Sequence, residues 1–243
     1  MNQTRRPAWR SVFDVAASVM MIAASGAIVW IALLAPRPKS PAVDPVHGLA
    51  TMGVPTEPIT LDGAAIRGNR QAEVVVIEYF DFECPFCVDF ARDTLPLVVK
   101  QYVNLGKVQL AFRQLPIQSR HPNALRAAQA AECSRRQGKF CEMQDSLFSA
   151  PLPQDASGLM RLARTLGLEM KTFQACLAGE ADTQIKADVA EAQRLGVTGT
   201  PTFFFGKLRH DGRVAVLRRR SGNLGPQMFD RLVKEVVDWR ASE

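Results

Sequence analysis

Histidine, tyrosine and cysteine are scarce in this chain, with three, two and five residues respectively among 243. Five cysteines exclude a disulfide-dense mini-scaffold, whose fold depends on its cross-links. The histidines, His47, His121 and His210, are scattered, and there is one Cys-x-x-Cys and no second. A tetrahedral zinc site needs four ligands, usually drawn from two such pairs, so zinc is a poor fit. Charge of one sign is also sparse over most of the length. The net charge is +6, but Arg5, Arg6, Arg10, Arg37 and Lys39 against Asp14 put +4 of it in residues 1–40. Residues 207–220 hold a further +5, so the remainder is slightly acidic. That distribution does not imply a nucleic-acid partner. No internal repeat is present. With 47% apolar and 22% charged residues, wholesale disorder and a polytopic membrane protein are both excluded. The length leaves room for one large or two small domains with a sizeable core.

One long apolar run stands out. Residues 15–35, VAASVMMIAASGAIVWIALLA, carry no charge over 21 positions. As a helix they span roughly 31 Å, the thickness of a bilayer's hydrocarbon core. Arg5, Arg6 and Arg10 precede the run, Arg37 and Lys39 follow it, and Trp9 suits an interface. The expectation is a signal anchor with its N-terminus in the cytoplasm and the bulk of the chain outside. The rival is a cleaved signal peptide, with an apolar region over 15–24 and a cut near Ser25-Gly26-Ala27. Such a cut leaves IVWIALLA as an exposed terminus. Residues 36–58 hold six prolines and no hydrophobic period, which predicts an extended linker.

Beyond the linker the pattern alternates. Residues 73–80, EVVVIEYF, read as a buried central strand. Residues 84–103 have helical spacing, with Pro96 expected to kink them. Residues 107–113 read as a second strand, parallel to the first because a helix lies between. From Pro122, expected at a first helical position, to Leu195 the pattern is helical throughout. Strands follow at 202–205 and 213–217, joined across His210-Asp211-Gly212, and then an amphipathic helix at 226–239. The fold class is α/β, with a helical insert over about 120–195.

The chemistry concentrates at Cys84-Pro85-Phe86-Cys87, where the predicted strand meets the helix. Pro85 fits the first helical position and makes Cys84 the N-cap. Cys84 then faces unpaired amides and the positive end of the helix dipole, which favour a thiolate. Cys87 lies one turn further in on the same face, within reach of Cys84. Thiol–disulfide exchange wants this arrangement: an exposed low-pKa sulfur forms the mixed disulfide and a shielded neighbour resolves it. Zinc, copper or a purely structural Cys-x-x-Cys are the competing readings. Gly199-Thr200-Pro201-Thr202 is the second signal. Pro201 directly precedes an apolar strand, and a cis Thr200–Pro201 bond accounts for that placement.

VVVIEYFDFECPFC, the helical insert and GVTGTPTFFF together resemble a DsbA-like thiol:disulfide oxidoreductase of the thioredoxin superfamily, over roughly residues 57–241. The resemblance implies a thioredoxin-like fold over residues 59–241, with Pro201 packed against the cysteine pair. It implies Cys84 as nucleophile, Cys87 as resolving thiol, and Pro85, Phe86, Thr200 and Pro201 at the substrate face. Glu78 matches a buried acid that exchanges a proton near Cys87; the alternative is an exposed strand glutamate. Asp81 and Glu83 are expected in a solvent-exposed turn, and His121 is expected to cap a helix or face solvent, with a place near the active site as its alternative. Cys133 and Cys176 resemble a second, structural disulfide of some members, with Cys133–Cys141 the other pairing. Family oxidants often carry His where Phe86 stands, so a less stabilised thiolate is expected. No metal or organic cofactor is implied beyond the redox-active disulfide. The expected partners are reduced exported proteins and a membrane protein that reoxidises the pair, for a monomer on the extracytoplasmic side. A reductase or isomerase for particular envelope clients, or a metallochaperone, are the other readings.

Overall fold

The computed structural model describes residues 53–149 and 155–239. The anchor reading of 15–35 and most of the 36–58 linker lie outside the described residues. Among the described residues no helix is long and apolar enough to cross a membrane.

The described residues are built on a six-stranded sheet in the order β1-β6-β5-β3-β4-β2. The strands are β1 (Ile59–Thr60), β2 (Ala65–Arg67), β3 (Val74–Phe80), β4 (Val108–Gln114), β5 (Thr202–Leu208) and β6 (Arg213–Ser221). Only β3 and β4 run parallel; every other pairing is antiparallel. All seven residues of β3 are buried, because helices cover both of its faces and strands flank both edges. Successive side chains alternate between two cores. Val74, Val76 and Phe80 enter the larger one, and Val75, Ile77 and Tyr79 the smaller.

Helix α1 follows β3 directly and runs over 85–103. It alternates α-helical segments, Pro85–Asp89 and Leu95–Val98, with π-helical ones, Phe90–Thr94 and Val99–Val103. Pro96 therefore marks a widened turn: the Leu95 amide reaches back to the Phe90 carbonyl, five residues away. A π turn accommodates the ring that a regular α-helix would push against the carbonyl four residues back. The insert comprises α2 (Ala124–Arg135), α3 (Phe140–Ser149), α4 (Ala156–Thr165), α5 (Met170–Ala175), a segment Cys176–Glu180 kinked at Gly179, and α6 (Ala181–Arg194). Pro122 is not the first helical residue; it lies in the turn ahead of α2, whose N-cap is Asn123. Helix α7 (Pro226–Asp238) closes the chain's described part.

Aromatic contacts join these layers. Phe90 of α1 sits 4.7 Å from Phe203 of β5, and Phe229 of α7 sits 5.2 Å from Phe205. In the same core Phe148 of α3 packs against Phe80 and Phe82. Helix α6 is held to the sheet by a buried ion pair, Arg113–Asp188 at 2.8 Å, and by Tyr79 donating to Glu191 at 2.6 Å. Within the insert the Cys133 and Cys176 sulfurs are bonded at 2.01 Å, and Cys141 is free and half-buried. This bond fastens the end of α2 to the segment after α5. Closing a loop of this length stabilises by about 4 kcal/mol on a chain-entropy estimate. The Cys133→Ser/Cys176→Ser double variant is thus expected to lose about 4 kcal/mol of unfolding free energy. Denaturant titration of wild type and variant, both with Cys84–Cys87 oxidised, measures it; a loss near zero would contradict the bond.

Candidate active site

Cys84 is the N-cap of α1, with extended backbone (φ −70°, ψ 120°) and Pro85 opening the helix behind it. Its carbonyl accepts from the Cys87 and Val88 amides, both at 3.0 Å, so the turn that brings the two cysteines together is locally closed. Cys84 is 5% exposed and Cys87 is fully buried. Between them Pro85 is exposed, and Phe86 presents 58% of its surface to solvent.

The residues opposite come from a segment more than a hundred positions later. The Thr200–Pro201 peptide bond is cis. The Cys84 thiol donates to the Thr200 carbonyl at 3.2 Å. Thr202 Oγ1 donates to Gly199 O at 2.8 Å and lies 2.9 Å from Ser221 Oγ, while the Gly222 amide donates to Pro201 O at 2.8 Å. The proline turn is thereby tied to the end of β6.

Electrostatics separates the two sulfurs. The Cys84 pKa is brought down to about 5, chiefly by the hydrogen bond from the Cys87 thiol. Burial works against this, while the Thr200 side chain and the Cys87 and Phe86 amides add to it. The Thr200 hydroxyl is buried without a hydrogen-bond partner among the described residues, so it is free to donate to the thiolate. The stabilisation thus comes from neutral donors at a helix end, and Phe86 need supply no charge. Cys87 is pushed the other way, first by burial, then by its hydrogen bond to Cys84 and the negative charge of Glu78.

Glu78 is buried on β3, at 6% exposure, on the α1-facing side that it shares with Val76 and Phe80. Burial raises its pKa to about 8, and the Arg67 guanidinium offsets part of that rise. A carboxyl that changes protonation near neutrality, and whose charge acts on Cys87, suits proton exchange with the resolving thiol. Arg67 on β2 is invisible to pattern reading, because a three-residue strand shows no periodicity.

Asp81 and Glu83 depart from the expected solvent-exposed turn. Asp81 is 2% exposed; its carboxylate accepts from the Glu83 amide at 2.8 Å, the Ile117 amide at 2.7 Å, and lies 2.8 Å from His121 Nδ1. Glu83 accepts from the Asn123 amide at 2.6 Å and from its side chain at 3.0 Å. Both acids reach across to the loop that leads into the insert, which supplies the amides they need; that loop's nearness is a tertiary fact absent from local sequence. His121 accordingly packs beside the active-site loop. Four of the six cations of the 207–220 cluster are paired: Lys207 with Glu73, Arg209 and Arg213 with the shared Asp211, and Arg218 with Glu235. Among the described residues no group of three or more His, Cys, Asp or Glu side chains could hold a metal ion.

Two pH dependences follow. Thiolate absorbance of the reduced protein is expected to titrate with a midpoint near pH 5 and to vanish in Cys84→Ser; a midpoint near 8.5 would mean the helix end does not act on the sulfur. In the oxidised protein, where neither thiol titrates, Glu78 has a raised pKa. Its stabilising contribution is therefore present below its unfolded pKa and is lost as pH rises through about 8. Glu78→Gln is expected to match wild type near pH 4 and exceed it above pH 8 by on the order of 4 kcal/mol in denaturant titration; a pH-independent difference would contradict the assignment.

Comparison with known proteins agrees with the thioredoxin-like fold. The thioredoxin family model matches residues 60–217. A Na(+)/H(+) antiporter, NhaA 3 of Salinispora tropica, is 38% identical over 167 residues, which are 68% of this chain and 24% of that one. NhaA 1 of Mycobacterium sp. (strain KMS) is 32% identical over 159 residues, 64% of this chain and 25% of that one. The chain thus spans about a quarter of the length of the curated relatives it matches. Among solved structures, alpha-DsbA1 of Wolbachia pipientis superposes with a TM-score of 0.64 at 23% identity, covering 73% of this chain and 92% of that one. BdbD of Bacillus subtilis gives 0.63 at 20%, covering 76% and 98%. A thioredoxin-like oxidoreductase of Silicibacter pomeroyi gives 0.60 at 27%, covering 74% and 95%. The chain belongs to the thioredoxin family, with a fold shared by these DsbA-type structures.

Proposed function

We propose that the chain oxidises dithiols in exported proteins, working on the outer side of a membrane to which residues 15–35 anchor it. The observation that carries this reading is the unequal pair: Cys84 with its thiolate favoured and Cys87 with its thiol favoured, beneath the Thr200–Pro201 turn. Stabilising the Cys84 thiolate stabilises the reduced enzyme and so makes its disulfide the better electron acceptor. In the forward reaction a client thiolate attacks Cys84 Sγ of the disulfide, and Cys87 leaves as a thiolate. That thiolate takes up a proton, for which Glu78 is the nearby donor. A second client thiolate then attacks the client sulfur of the mixed disulfide, and Cys84 leaves as a stable thiolate. The client is oxidised by two electrons and the enzyme pair is reduced. A membrane protein that accepts those two electrons returns the pair to the disulfide.

Strand addition supports client binding, since the extended residues around the cis bond offer backbone groups to a peptide. The exposed Phe86 ring adds an apolar contact beside the reacting sulfur. The antiporter relatives are named for ion exchange across a membrane, which is in keeping with an anchored location; antiport itself is not assigned to this chain.

Thiol trapping in cells tests the direction. An oxidase is expected to be found mainly with Cys84–Cys87 bonded, whereas a mainly dithiol form would favour the reductase or isomerase reading. Cys84→Ser is expected to abolish activity, and a serine variant that keeps full activity would refute the enzyme reading.

A further inference from the structure

Arg219 is 5% exposed, yet it forms no ion pair with a carboxylate among the described residues. Its acceptors are backbone: Nη1 donates to Leu195 O at 2.7 Å and Nη2 to Gly196 O at 2.6 Å, while Nε is buried without a partner. These carbonyls end helix α6, where the helix dipole is negative. The guanidinium also lies over the Phe204 ring, 5.1 Å from its centroid, and Phe204 is its register partner on β5. A buried cation lacking a carboxylate is costly, and an apolar side chain of similar volume would serve packing alone as well or better. The location says what the cation does. Leu195 and Gly196 begin the short loop that carries Thr200 and Pro201, and β6 already holds the far end of that loop through Ser221 and Gly222. Arg219 gives the same strand a grip on the near end.

We propose that Arg219 is a positioning residue for the exchange reaction: it fixes the start of the 195–202 loop to β6 and so holds the Thr200 backbone where an extended client must pair beside Cys84. This rests on the reading of Thr200–Pro201 as the client-binding turn. Peptide clients need that backbone, whereas a small dithiol does not.

The test uses the oxidised full chain, with glutathione disulfide as the oxidant that regenerates the Cys84–Cys87 bond, and two reductants, a peptide with a cysteine pair and dithiothreitol. Arg219→Met keeps the length and apolar stem while removing charge and donors. It is expected to raise KM for the peptide about five- to tenfold, with kcat and the dithiothreitol rate within about twofold of wild type. Arg219→Lys, which retains the charge and a donor, is expected to recover at least half of that loss. An unchanged peptide KM in Arg219→Met, or equal losses on peptide and dithiothreitol, would overturn the proposal. Should Arg219→Met not fold, Arg219→Lys and Arg219→Gln carry the same comparison: a selective rise in peptide KM supports it and equal losses overturn it. A wild-type protein inert towards both reductants would contradict the proposed function instead, leaving this inference without a reaction to position.

Discussion

A sulfur placed at the open end of a helix, with a carbonyl 3.2 Å away on the opposing turn, sets the terms for the rest of the molecule. The helix end supplies amides that favour the charged sulfur, and in the proposed function the turn supplies the surface on which a client peptide lies. Neither feature acts without the other. A low-pKa sulfur with no binding surface would react with any thiol that reached it. A binding turn over an ordinary thiol would hold clients without accepting their electrons.

The sheet serves this juxtaposition. β3 ends just before Cys84, β5 begins just after Pro201, and the two are hydrogen-bonded neighbours, with Tyr79 opposite Thr202. Two segments far apart in sequence are thus delivered to one end of the sheet by a single antiparallel pairing. Around them the protein spends buried polar groups freely. Asp81 and Glu83 fasten the active-site loop to the entrance of the insert, and Arg113 and Tyr79 fasten α6 to the sheet. Each of these groups has partners that offset its desolvation, as buried polar groups require. Glu78 is the exception in kind, because the opposite charge that acts on it, Arg67, only partly offsets burial. That imbalance is what leaves its proton exchangeable near neutral pH.

Much of this is legible in the sequence because the strongest signals are local. The apolar run of β3, the Cys-Pro-Phe-Cys turn at its end, the Ala-rich helices and the Pro201 placement each declare themselves within a dozen residues. β1 and β2 do not, since two or three residues carry no alternation. Pro122 suits a helix start by its own chemistry, but the turn set by the Glu83–Asn123 bonds moves that start to Ala124. Asp81 and Glu83 look solvent-facing because acids next to a catalytic cysteine seem to need water. The burial of Asp81 and the inward reach of Glu83 depend on amides contributed by residues more than thirty positions later. Arg219 sits in a basic cluster that looks like a solvated surface, and only the sheet register reveals that it turns inward over Phe204. Residue identity shows the chemistry available; three-dimensional contact decides where each charge is placed.

The central claim is that stabilising the Cys84 thiolate makes the Cys84–Cys87 disulfide oxidising. Its most direct test is the equilibrium reduction potential of that pair against glutathione, measured at neutral pH on the full chain. The account predicts a potential clearly more oxidising than the glutathione couple, with the pair largely reduced in a balanced glutathione buffer. A potential in the range of cytosolic reductants, with the disulfide persisting in that buffer, would contradict it.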